Sequence, residues 1–217
     1  MIKYLLKLRN DYFNFLLRRR YKKYDYIDTR ILGKIDHVYD DNMTLIINVL
    51  LYKGGTTHIV SKIKNINEKY INTILDIDYY YIKALPIDKL SDENIIKAGT
   101  HNIYFTKDII YDMVKTDYSR ALRLVTETLI KTYTINGVFI PSMDYFKNID
   151  FYYSVVVKLK THYNTTPINM PVNILYKIKD LKKYIKCDIF MEHVKQTSPD
   201  SYKKLQTIIN LKKIIEC

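Results

Sequence analysis

The sequence predicts an α+β protein, a small β-meander between a basic N-terminal helix and basic C-terminal helices. Three observations predict it. Apolar residues mostly alternate through Arg30 to Tyr39, and Met43 to Tyr52 is rich in Leu, Ile and Val, as strands are. Lys53-Gly54-Gly55-Thr56 then separates two such runs in the way a hairpin turn does. Both ends of the chain read as helices with an excess of lysine and arginine.

Taken in order, residues 2 to 23 read as a helix, because Ile2, Leu5, Leu6, Phe13, Leu16 and Leu17 recur at spacings of three and four. That stripe is expected to pack on the body or on a partner. Arg30 to Tyr39 is the first strand, Asp40-Asp41-Asn42 a turn, Met43 to Tyr52 the second strand and Thr57 to Ile66 the third. Such a meander should bury Ile35, Leu45, Ile47, Val49, Ile59 and Ile63. Tyr79 to Leu85 suggests a short strand ended by Pro86. Asp88 to Ala98 suggests a short helix stopped at Gly99, and Thr106 a cap for another through Asp108 to Lys115. Tyr118 to Lys131 is a helix with Ala121, Leu122, Val125, Leu129 and Ile130 on one side. Asn136-Gly137 turns into a strand at Val138 to Ile140, and Phe151 to Tyr163 is a long strand. Pro171 opens a helix toward Tyr184, and 188 to 215 form one or two Lys-rich helices interrupted near Ser198-Pro199. The organisation is then a basic helix at 1–29, a β-rich body at 30–185 and a Lys-rich extension at 186–217.

The chain of 217 residues is long enough to bury a sizeable core, and 27% charged with 47% hydrophobic residues excludes a wholly disordered one. No apolar run is long enough for a transmembrane helix. Met1 to Leu17 is broken by Lys3, Lys7, Arg9 and Asp11 and lacks a small-residue cleavage site, so it does not read as a signal peptide. Cys187 and Cys217 are too few for a disulfide framework, and the expected setting is reducing and intracellular. The 22 Tyr and the absence of Trp accompany many Ile, Asn and Lys, which points to an A/T-rich genome such as a large DNA virus or a parasite.

The net charge of +12 is unevenly placed. Residues 1–34 hold ten basic and three acidic side chains, and residues 177–217 ten and five, so the middle is neutral. Arg18, Arg19, Arg20, Lys22 and Lys23 in the first end, with Lys182 and Lys183 in the second, are the candidate nucleic-acid contacts. A solvated helix face would have the same composition.

The order of elements resembles the staphylococcal nuclease-like fold, an OB-type barrel with helices, over about residues 30–185. The resemblance rests on Val38-Tyr39-Asp40-Asp41-Asn42-Met43 for a D-G-D-T-like turn and Lys62-Ile63-Lys64-Asn65-Ile66-Asn67 for an R-L-x-G-I-D-like strand. Ser119 to Lys131 is similar to the family's Ala-containing helix, Asp150-Phe151-Tyr152-Tyr153-Ser154 to its D-K-Y-G-R-like strand entry, and Ile168-Asn169-Met170-Pro171 to its late I-N segment. The resemblance implies a phosphodiesterase ancestry in which carboxylates hold a metal and two arginines hold the phosphate. At those places this chain has Asn42, Lys62, Asn67 and Ser154, with Tyr70 near the general-base position. Asn carries no charge and Lys cannot make the bidentate fork, so the implied site is degenerate. Asp40, Asp41 and Glu68 are the remaining nearby carboxylates, the first two being weak metal candidates.

Nothing else in the sequence carries chemistry. The five histidines have neither zinc spacing nor an i, i+4 pair, although a meander would place His37 opposite His58. Gly54-Gly55 lacks the P-loop sequel, Ser and Cys lack a nucleophile-elbow context, and Asp76 and Asp78 suit a strand end. The expected function is non-catalytic nucleic-acid binding without a cofactor. The alternatives are a protein-interaction factor acting through the N-terminal helix, and a phosphodiesterase with a rearranged site.

Overall fold

In the computed structural model the described residues are 2–53, 57–136, 148–163 and 184–215, and among them there are helices and no strand. The α+β expectation, the meander and the OB-type barrel are therefore wrong. The chain divides into two compact units, Met1–Thr106 and Lys107–Cys217.

The first unit opens with α1 (Ile2–Tyr24), followed by α2 (Thr29–Leu32), α3 (Asp40–Lys53), α4 (Thr57–Val60), α5 (Glu68–Ile77) and α6 (Asp92–His101), with 3₁₀ turns at Tyr79–Ala84, Ile87–Lys89 and Ile103–Phe105. Helix α1 packs on α2 and α3, α3 on α5, and α5 on α6. The supposed first strand, 30–39, is α2 and an irregular segment after it. Asp28 caps α2 by accepting from the Arg30 and Ile31 amides. The supposed second strand is α3. Its run of Leu, Ile and Val suits either element by composition, but the buried set is Met43, Ile46, Val49 and Leu50, a helical spacing. Strand alternation would instead have buried Leu45, Ile47 and Val49 together; Leu45 and Ile47 are only half-buried. Ile35 and Ile63 are buried as expected and Ile59 is half-buried, but all on an irregular or helical backbone. The third strand is α4 and a turn, with Val60, Ile63 and Ile66 buried at intervals of three and Asn65 left-handed at φ 47°. Gly54-Gly55 lies outside the described residues.

Helix α6 begins with a reciprocal cap between Ser91 and Asn94 and runs through Gly99, which is buried against its neighbours. Tyr79–Ala84 is a 3₁₀ turn where a strand was expected, capped by Asp78.

The second unit contains α7 (Lys107–Thr116), α8 (Tyr118–Asn136), α9 (Ile149–Tyr163), α10 (Asp188–Thr197) and α11 (Pro199–Ile215). Helix α8 packs on α7 and α9, and α10 on α9 and α11. The long strand expected at 151–163 is α9. Phe151, Tyr152, Val155, Val156 and Leu159 are buried, positions i, i+1, i+4, i+5 and i+8, so periodicity overrides the β preference of aromatic and branched side chains. Helix α8 was legible, and so was the break at Ser198, where Pro199 occupies the first helical position of α11. The strand at 138–140, the turn at 164–167 and the helix from Pro171 lie outside the described residues.

Candidate functional site

The orientation of α1 is set by two asparagines. Asn10 Oδ1 accepts from the Asp36 and His37 amides at 2.9 and 3.0 Å, while its Nδ2 donates to the His37 carbonyl at 3.0 Å. One turn on, Asn14 Nδ2 donates to the same carbonyl at 3.0 Å and its Oδ1 accepts from the Tyr39 amide at 3.1 Å. Asn42, on α3, donates to the Asn14 carbonyl and side chain at 3.0 and 2.9 Å. The segment before α3, with no ladder partner, thus satisfies its backbone on α1 side chains. The Tyr39 hydroxyl adds a bond to Asp11. Asn14 and Leu17 are buried on this side.

The opposite face of α1 is left outward. Tyr4, Leu8, Tyr12, Phe15, Arg19 and Lys22 follow at steps of four, four, three, four and three, and every one is exposed. Phe15 is 60% and Tyr12 57% exposed, high values for rings of this size. The apolar stripe expected from the sequence is only partly inward: Leu17 is buried and Phe13 and Leu16 half-buried, whereas Ile2, Leu5 and Leu6 are exposed.

The basic cluster splits in two. Arg18 pairs with Asp41 at 2.9 Å, and Arg20 approaches Asp28 at 3.8 Å, where Arg30 also lies. Arg19 and Lys22 make no ion pair among the described residues. Lys23 Nζ sits 5.0 Å from the Tyr24 ring centre; its hydrogen bond to the Tyr24 side chain, then its charge and that of Arg20, hold the phenol below its usual range. Lys182 and Lys183 lie outside the described residues.

The positions implied by the nuclease resemblance do not form its site. Asn42 is buried against Asn14, Lys62 is exposed after α4, and Asn67 caps α5 by accepting from the Lys69 amide. Ser154 belongs to the second unit, where its hydroxyl accepts from Tyr118 at 2.9 Å. Asp40 and Asp41 lie in the first turn of α3, where carboxylates favour the helix dipole, and each meets a cation: Asp40 meets Lys69 at 2.9 Å and Asp41 meets Arg18. The Tyr70 hydroxyl and then Lys69 hold the Asp40 carboxyl below the ordinary carboxylate range. Asp40 and Asn67 do line one small cleft of about 140 Å³ with His37, Lys64 and Tyr70. Glu68 lines a different one, of about 310 Å³, with Asp76, Glu93 and Lys97. Among the described residues no group of three His, Cys, Asp or Glu is placed to hold a metal. His37 and His58 face no common strand pair: His37 lies before α3 and exposed His58 is on α4.

One buried polar pair escaped the sequence reading. Tyr152 of α9 and His193 of α10 meet at 2.6 Å between hydroxyl and Nε2, both fully buried, and His193 Nδ1 has no hydrogen-bond partner among the described residues. Burial, with Lys160 adding to it, lowers the imidazole to about 4. Only a tertiary contact between distant helices could have revealed this pair.

No family model, curated protein or solved structure matches the chain. Together with the helical fold, this removes the resemblance to the staphylococcal nuclease-like family. No helix among the described residues is long and apolar enough to cross a membrane.

Proposed function

We propose that this is a non-catalytic nucleic-acid-binding protein that works through α1. The observation that carries the reading is the run of Arg19, Lys22 and Lys23 on the exposed end of the helix, away from the carboxylates that engage Arg18 and Arg20. Cations without a carboxylate partner among the described residues are those that neutralise phosphate and release its counterions. The test is a titration of labelled oligonucleotide across a salt series. Replacing Arg19, Lys22 and Lys23 by Ser should weaken binding and lower the slope of log K against log salt by about 2 on a single strand. Unchanged affinity and slope would overturn the proposal.

A second reading is favoured by the first two turns of α1, where Ile2, Leu5, Leu6 and Leu8 are all exposed. That segment suits the apolar groove of a protein partner. Deleting residues 1–9 would then abolish a partner complex while leaving oligonucleotide affinity largely intact.

A further inference from the structure

Resting on that reading, we infer that the strand bound by α1 is single, its bases stacking on Phe15 and Tyr12 while its phosphates meet Arg19, Lys22 and Lys23. The argument begins with the asparagine clamp. Because Asn10 and Asn14 hold α1 to the 36–39 segment, the helix cannot roll to bury the opposite face, and Tyr12 and Phe15 stay outward. Exposing such rings costs stability that the first unit's core could have gained. Phe15 and Arg19 are one turn apart, and side chains at that spacing are neighbours roughly 5–6 Å apart at their Cβ atoms. Two rings and then three cations therefore follow one another along this side of the helix: Tyr12, Phe15, then Arg19, Lys22 and Lys23.

Tyr12 is also braced. Its ring meets Phe13 edge-on at 5.5 Å, and Phe13 is in turn covered by Lys34, whose Nζ is 5.5 Å from the ring centre. A braced, exposed ring forfeits little side-chain entropy when a base stacks on it. Beyond the helix end, Tyr24 and Tyr26 form a further exposed pair, their ring centres 5.9 Å apart, beside Lys23.

Duplex bases are already stacked on one another, so their π-faces are closed to Phe15 and Tyr12. A duplex offers this helix phosphates alone. Unpaired bases offer both partners at once, which is the combination that single-strand binders use.

The test uses the full chain and a labelled mixed-sequence oligonucleotide of about fifteen nucleotides, within the span one binding site covers. It is presented as single-stranded DNA, as single-stranded RNA and as the DNA duplex. The wild type should bind one or both single strands more tightly than the duplex. Tyr12→Ala with Phe15→Ala removes two stacking rings and should weaken single-strand binding by at least roughly 30-fold. Duplex affinity and the salt slope should not change, because no charge is removed. Tyr12→Leu with Phe15→Leu keeps the face apolar without a π-system and should lose as much. Since both rings are exposed, circular dichroism should show each variant folded like the wild type. Equal loss on duplex and single strand, or full rescue by Leu, would overturn the inference and leave the phosphate reading standing. Absence of salt-dependent binding to any of the three would remove both.

Discussion

The buried pair of Tyr152 and His193 ties the stability of the second unit to pH, and its size follows from the structure. In the unfolded chain an imidazole protonates near 6.5, whereas folded His193 stays neutral down to about 4, because burial and nearby Lys160 disfavour its cation. Between those values the unfolded state holds the extra proton. Stability is therefore fully present above about pH 6.5 and is lost as the pH falls toward 4. Going from about pH 7.5 to about pH 5 should remove about 2 kcal/mol. That window lies largely above the carboxylates, whose own losses come later. The measurement is urea unfolding followed by far-UV circular dichroism across the window, on the wild type and on His193→Gln. Glutamine can bond the Tyr152 hydroxyl but carries no titrating proton. The variant has its own destabilisation, so the two slopes against pH are compared, not the absolute stabilities. Parallel slopes would refute the reasoning. So would an NMR titration in which folded His193 protonates with a midpoint near 6.5.

Tyr152→Phe should cost on the order of 1–3 kcal/mol in urea unfolding, since it leaves the second ring nitrogen of a buried histidine unpaired as well. Asn14→Ala should cost on the order of 1–3 kcal/mol, because the part-buried Tyr39 amide loses its acceptor while Asn42 keeps only the Asn14 carbonyl; a melting temperature unchanged from wild type would show that the clamp does not hold α1. Asp40→Asn should change the melting temperature little, as both Asp40 and its partner Lys69 are exposed, and calcium should not raise the melting temperature of either form; calcium stabilisation lost in the variant would restore Asp40 as a metal ligand.

Several features were legible in the residues alone. The helices at the N-terminus and at 118–131 announced themselves through spacings of three and four, Lys-rich helices were expected after 188, and Pro199 marked a boundary that its missing amide imposes. The charge asymmetry needed only counting. What misled was the stretch from Met43 to Tyr52 and the one from Phe151 to Tyr163. Their branched and aromatic side chains suit a strand locally, and short apolar runs do not separate the two periods until neighbours choose which residues to bury. Here α3, packed on α5 and α1, buries Met43, Ile46 and Leu50, and α9, packed on α8 and α10, buries Phe151, Val155 and Leu159.

The site followed the same division. Sequence determined that cations would crowd Arg18 to Lys23, because their charge needs water or an anion wherever the helix lies. Which of them stay available was decided by the fold: Asp41, 23 residues along the chain, engages Arg18, and Asp28, at the cap of α2, approaches Arg20, which leaves Arg19 and Lys22. The outward turn of Tyr12 and Phe15 was tertiary too. A helix with apolar residues on more than one side has no unique inward face by composition, and the asparagine bonds to residues 36–39 fix the rotation, since buried backbone groups must be paired.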